Sequence, residues 1–221
     1  MSAGRIVLLV FGIIILVGSV LLVFLGGAIV WAHTVFTDDE GFFSTKTIEV
    51  EKDSYAVVTQ PADIDLSAAW IWDWSDLVSF RVEGSSDDLS KQVFIGVADE
   101  SDLDSYLDNV EYDEVDDLRL DPLEIDYRRH AGDSEPLAPT SQGFWAASTY
   151  GTGTQVLDWT LETGSWSLVL MNSDGSAGLD MDVVLGAKVP WLFGTGLGIL
   201  IGGGVGLVVG IVMIYLAVRR A

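Results

Sequence analysis

The chain has 221 residues, no cysteine, and 33 acidic residues against 11 basic ones, a formal net charge of −22. The lack of cysteine excludes disulfides and thiolate metal centres. So large a negative charge excludes nucleic acid and anionic lipid headgroups as partners of the acidic part.

In chain order, residues 1–5 form a short N-terminus with one basic residue, Arg5. An apolar run follows over residues 6–32, interrupted only by glycine and Ser19, with no charged residue inside it. At about 1.5 Å per residue, roughly 25 helical residues reach about 38 Å, enough to cross a hydrocarbon core of about 30 Å. The run predicts a first transmembrane helix. It is longer than the apolar stretch of a secretory signal, about 7–15 residues, and no clear cleavage site follows, so an uncleaved anchor is expected. Trp31 and Phe36 close this helix as a pair of aromatic belt residues would.

Residues 33–189 are predicted to form an acidic external domain. Short alternating runs predict strands near Thr45–Val50, Tyr55–Gln60, Val78–Glu83, Gln92–Val97, Leu123–Arg128, Phe144–Thr149, Gln155–Leu161, Trp166–Asn172 and Leu179–Leu185. Their spacing and the Gly and Asp punctuation point to an antiparallel β-sandwich or jelly roll. One short helix is expected over Asp102–Val110. Ser101 with Asp104 resembles a capping box, and Leu103, Tyr106, Leu107 and Val110 share a face. Asp133–Gln142 reads as a loop. The fold class is therefore a membrane-anchored all-β protein: one short helix in the ectodomain and a transmembrane helix on each side.

The second apolar run predicts a transmembrane helix over residues 190–218, with Pro190 suited to its first turn. Trp191 and Phe193 would lie at the outer interface and Tyr215 at the inner one. Residues 219–221 end the chain. Gly194, Gly198, Gly202, Gly206 and Gly210 recur every four residues, a groove without side chains. In lipid, helices associate by close backbone approach rather than by the hydrophobic effect, so such a groove is a helix-packing surface. Its partner is either the first helix, with Gly12, Ser19, Gly26 and Gly27, or a second copy of the chain.

All 33 acidic residues fall between Asp38 and Asp182, with eight basic residues up to Lys188, so the domain carries 8 − 33 = −25. The other basic residues, Arg5, Arg219 and Arg220, flank the inner helix ends. Positive charge on the cytoplasmic side then places both termini in the cytoplasm and the domain outside the cell. Aspartate outnumbers lysine 23 to 4, the pattern of a halophilic surface kept soluble by charge and screened by dense counterions.

Few residues suggest chemistry. His33 lies at the membrane edge. His130 follows Arg128-Arg129; a Ser-His-Asp triad on it lacks a nucleophile-elbow motif. The basic trio is expected to pair with nearby aspartates, with an external anion as the alternative. Asn172 and Asp174, in Asn172-Ser173-Asp174-Gly175-Ser176, resemble part of a calcium loop but lack its remaining ligands; a simple turn is the competing reading. Asp99, Glu100, Asp102 and Asp104 either gather a cation or cap a helix. Trp70, Trp72 and Trp74 would share one face if extended, as a sugar-stacking row or as core wall.

Several segments together resemble a family of uncharacterised two-pass membrane proteins of actinobacteria and haloarchaea. They are Gly41-Phe42-Phe43-Ser44-Thr45, Val93-Phe94-Ile95-Gly96-Val97-Ala98 with Ser105-Tyr106-Leu107, Phe144-Trp145-Ala146-Ala147-Ser148, Gly151–Trp159, and Gly164–Asn172 with Asp174-Gly175-Ser176. The last is also similar to the closing strands of peptidase-associated C-terminal β-sandwich domains. The resemblance implies fold and topology and brings no catalytic residues. The expected function is a non-enzymatic extracellular interaction module held in the lipid bilayer, in contact with envelope components or a membrane partner. A glycan- or cation-binding receptor-like domain is the alternative, and an enzyme ranks third. Homo-oligomers through the glycine groove are a further expectation.

Overall fold

Residues 3–65, 78–86, 88, 90–120 and 123–219 are described in this structure, a computed structural model. They divide into two units: the residues up to Gly41 together with those from Val189 onward, and Phe42–Lys188. The first unit consists of two long helices, α1 (Ala3–Phe36) and α3 (Trp191–Arg219). The short helix α2 (Glu100–Tyr106) belongs to the second unit.

Both long helices are apolar and long enough to cross a membrane. They pack antiparallel: Gly12 of α1 lies against Ile214 of α3, and Gly26 lies against Leu200. Their buried positions are Gly12, Ser19 and Gly26 on α1, and Gly196, Gly203, Gly210 and Ala217 on α3. Each set is spaced by seven, the repeat of a left-handed supercoil, and each member is small. The backbones therefore meet directly. A Cβ on Gly26 would stand 2.5 Å from the Leu200 nitrogen, and one on Gly203 would stand 2.8 Å from the Val23 nitrogen. The contact between α1 and α3 has a period of seven, where the expected groove has a period of four. Gly206 and Gly210 do face α1, but at Gly194, Gly198 and Gly202 a Cβ would meet nothing within 4 Å. Near one end, the His33 and Phe193 rings are 5.2 Å apart. Pro190 sits just before the first residue of α3 rather than within its first turn.

The second unit is β-rich. Its strands are β1 (Phe42–Ser44), β2 (Ile48–Lys52), β3 (Ala56–Thr59), β4 (Ala62–Ile64), β5 (Ser79–Ser85), β6 (Val93–Asp99), β7 (Tyr112–Leu120), β8 (Leu123–His130), β9 (Ala147–Gly151), β10 (Gln155–Thr160), β11 (Gly164–Asn172) and β12 (Leu179–Lys188). Among the described residues they form two sheets. The five-stranded sheet runs β1-β12-β5-β10, with β2 sharing the β12 edge with β1; the seven-stranded sheet runs β8-β7-β3-β11-β6-β9, with β4 beside β11. One core joins them. Ile48, Val50, Val82, Leu157, Met181 and Val183 come from the first sheet, and Val57, Val93, Ile95, Val97 and Leu170 from the second. Inward positions of both sheets meeting in a single apolar layer is the arrangement of a β-sandwich.

The second sheet is buried on its other face as well. Ala56, Val58, Phe94, Val169 and Met171 pack there beneath Leu103, Leu107 and Val110. That double burial explains why β6 reads as an unbroken apolar run, Val93-Phe94-Ile95-Gly96-Val97-Ala98, instead of alternating. Trp145 covers Phe94, with ring centroids 4.9 Å apart, and donates its indole N–H to the Pro139 carbonyl.

The domain departs from expectation in several places, among them the added short strands β1 and β4. The sheets are not wholly antiparallel: β3 and β7 pair in parallel, Ala56 opposite Tyr112 through Thr59 opposite Val115. Strand β7 falls where no strand is expected, because Tyr112-Asp113-Glu114-Val115-Asp116-Asp117 is dominated by residue types disfavoured in strands. The helix α2 also starts earlier and ends sooner than Asp102–Val110. Its cap is Asp99, not Ser101; the Asp99 carboxylate accepts from the Ser101 backbone N–H at 3.0 Å and from the Ser101 hydroxyl at 2.6 Å. Asn109 ends the turn at φ 58°, a left-handed conformation that asparagine tolerates better than most residues. Its side chain donates to the Ser134 hydroxyl.

Candidate functional site

Strand β7 is held by charge where apolar packing is thin. Opposite it on β8 stand Arg128, Arg129 and His130, paired with Glu114, Asp113 and Tyr112. Arg129 grips buried Asp113 through Nε at 3.2 Å and Nη2 at 2.8 Å, and the Ser54 hydroxyl donates to the same carboxylate at 2.8 Å. Burial alone would raise the Asp113 pKa. The hydrogen bonds from Arg129 and Ser54 outweigh it and hold the carboxyl below the usual carboxylate range. Arg128 pairs with Asp116 and lies 3.6 Å from Glu114. The basic trio is thus paired internally with the acidic residues around it.

On the outer face of this sheet, alongside α2, runs a groove of about 220 Å³. One wall is α2, with Glu100, Leu103 and Asp104, and its C-cap Leu107. The floor is Val58 and Thr59 of β3 with Tyr112 and Glu114 of β7; Ser167 of β11, His130 of β8 and Pro61 complete the lining. The His130 ring stacks flat on Tyr112 at 4.4 Å, and its Nε2 is 2.6 Å from the Glu114 carboxylate. Burial raises the Tyr112 pKa, helped by the charges of Glu114 and Asp104. Glu100 accepts a hydrogen bond from the Ser165 hydroxyl at 3.0 Å. The Asp104 carboxylate has no ion pair or hydrogen bond with any described residue. Ser167 is 2% exposed, its hydroxyl has no partner among the described residues, and it lines the groove.

Serine, histidine and carboxylate share this groove, but not as a nucleophilic triad. Ser167 and His130 stand on β11 and β8, with β3 and β7 between them. At about 4.8 Å per strand that is roughly 14 Å, far beyond hydrogen-bond reach. The arrangement brings together negative charge, a floor of mixed apolar and polar side chains, and the Ser167 hydroxyl.

The other sequence-marked residues lie elsewhere. Asn172 and Asp174 belong to a tight turn with Gly175 at φ 79°. Asp174 accepts from the Ser176 N–H and hydroxyl, which holds its carboxyl low. Asn172 turns its amide NH2 toward the carbonyls of Ser176, Ala177 and Gly178, and the Lys91 ammonium takes the Gly178 carbonyl at 3.1 Å. These hydrogen bonds close the segment as a turn. Among the described residues no group of three or more His, Cys, Asp or Glu is placed to hold a metal ion. Trp70, Trp72 and Trp74 lie outside the described residues. Sequence reading missed Tyr112, Glu114 and Ser167, because only the parallel pairing of β3 with β7 brings these distant segments beside α2.

No family model and no curated protein matches the chain. Among solved structures it is similar to CorA, a surface-associated copper-binding protein important in Methylomicrobium album BG8 copper acquisition. The identity is 11%, the match covers 70% of this chain and 96% of the other, and the TM-score is 0.27. A likeness that distant carries no argument about fold or ligand.

Proposed function

We propose that the protein is a membrane-anchored binding module. Helices α1 and α3 cross the bilayer, both termini lie in the cytoplasm, and the acidic domain works outside the cell by contacting an envelope component or a membrane partner. One observation carries this reading: every acidic residue falls between two apolar helices, while Arg5, Arg219 and Arg220 lie at their outer ends in sequence. Charge of that sign and place favours the cytoplasmic side. The groove beside α2 favours ligand binding over nucleophilic catalysis, since Ser167 and His130 stand three strands apart.

Because the chain has no cysteine, single introduced thiols test the topology cleanly. An impermeant maleimide added to intact cells should label Glu135→Cys, and should label a cysteine appended after Ala221 only after lysis. The reverse pattern would overturn the orientation.

The domain's charge further supports a high-salt setting. Its urea midpoint should fall as KCl is lowered from about 1 M to about 0.1 M, where the screening length grows from about 3 to about 10 Å. A midpoint indifferent to salt would remove the halophilic reading.

A further inference from the structure

We propose that the groove beside α2 binds a short linear diammonium ion, two primary ammonium groups joined by a methylene chain. The inference rests on reading the domain as a binding module, but not on which side of the bilayer it lies.

The groove's carboxylates are spread along its length. Glu100 sits at the end near β11, beside Ser165, and Asp104 lies toward Tyr112 and Glu114. Residues four apart on a helix stand roughly 6 Å apart, a separation that a few methylenes span. Between them lie the exposed edges of Leu103, Leu107 and Val58, side chains otherwise buried in the core, beside Thr59 and Ser167. A hydrated metal ion gains nothing from those edges, whereas a methylene chain loses water against them. Ser167 supplies the second, independent sign of a ligand. Its side chain is all but enclosed, and its hydroxyl has no partner among the described residues. What little of it is exposed opens onto the groove, where the hydroxyl oxygen can accept from a donor placed there. An ammonium group has three N–H donors and no acceptor. It can serve Glu100 and Ser167 together at one end, while the second ammonium meets Asp104, whose carboxylate has no partner among the described residues, and reaches toward Glu114. An anion would meet the repulsion of Glu100, Asp104 and Glu114 there.

The test is calorimetric titration of the full-length protein in mild detergent, at constant ionic strength. The probes are 1,4-diammoniobutane, butylammonium, N-acetyl-lysinamide and magnesium chloride. The diammonium ion should bind at least about tenfold more tightly than either monoammonium probe, about 1.4 kcal/mol, and magnesium should not displace it. Glu100→Gln and Asp104→Asn should each weaken it by about tenfold, and Ser167→Ala by several-fold. Asp102→Asn, on the same helix but outside the groove, should leave it unchanged. Circular dichroism of each variant confirms that the fold is retained; if Ser167→Ala fails to fold, Ser167→Cys replaces it. The proposal is overturned by a flat titration, by equal competition from magnesium, or by Asp102→Asn weakening binding as much as Asp104→Asn. It is overturned too if N-acetyl-lysinamide matches the diammonium ion, since the groove then takes a protein's lysine side chain instead. None of these outcomes alters the labelling pattern that tests topology.

Discussion

Gly203→Leu should open the paired helices, while Gly202→Leu, one residue away, should leave them closed. The two substitutions are chemically identical and sit in the same apolar helix, so helix propensity affects both alike, a gain of about 1 kcal/mol over glycine. What differs is the space each glycine faces. A Cβ at 203 would stand 2.8 Å from the backbone nitrogen of Val23 and 2.9 Å from its side chain, whereas nothing lies within 4 Å at 202. Backbone cannot yield as a rotamer can, so the helices must separate. Overpacking of a tight core costs about 1–3 kcal/mol, and a leucine set against backbone should reach about 3 kcal/mol or more. Separation also forfeits the contacts of Gly196, Gly210 and Gly26, because one seam holds them all. Dyes on Gly4→Cys and Val218→Cys report helix closure by energy transfer in a detergent micelle. Transfer should fall in Gly203→Leu and persist in Gly202→Leu. Equal behaviour of the two would refute the heptad seam.

Asp113→Ala should cost the domain about 2–3 kcal/mol, with the loss concentrated at the pairing of β7 on β3. Removing one member of a buried ion pair costs about 3–5 kcal/mol when the other charge is stranded. Arg129 is 46% exposed and can rehydrate, which places the expectation at or below the lower end of that range. The Ser54 hydroxyl would keep only its bond to the Ala56 carbonyl. Acid should reproduce the effect. The Asp113 pKa is depressed in the folded protein, so its contribution is fully present above the unfolded value of about 3.9. It is lost as pH falls through the lower, folded value. Urea midpoints of wild type and Asp113→Asn should differ at pH 7 and converge in strong acid. A constant gap across that window would mean that Asp113 stabilises by shape and not by charge.

Helices, strands and groove differ in how plainly the sequence announces them. Apolar length and the absence of charge make the long helices plain, and alternation of the kind in Ser79-Phe80-Arg81-Val82-Glu83 marks most strands. Strand β7 stays hidden because its backbone is held by cross-strand ion pairs to a partner that follows it, and its composition resembles a solvated loop. The helix seam is half visible. Eight of the seventeen residues from Gly194 to Gly210 are glycine, so α3 alone fits a period of four as readily as one of seven. On α1 the small residues include Gly18 and Gly27 as well, and only matching Gly12, Ser19 and Gly26 to Gly196, Gly203 and Gly210 in the folded pair resolves the choice. The groove is least legible. Glu100 and Asp104 stand out as part of an acidic run, but Ser167, Tyr112 and His130 join them only through a strand order that crosses the chain back on itself.

The pairing of Phe42 with Lys188 has a mechanical consequence. The first residue of β1 stands opposite the last residue of β12, so the chain enters and leaves the sandwich side by side, on neighbouring strands. Tension drawing those two ends apart would pull across the strands, along the direction of their hydrogen bonds, and rupture them singly in sequence like a zip. The same tension applied along the strands would have to break the whole row at once. A modest pull at these ends therefore peels β1 away first, and β2, farther along β12, would be reached only after it.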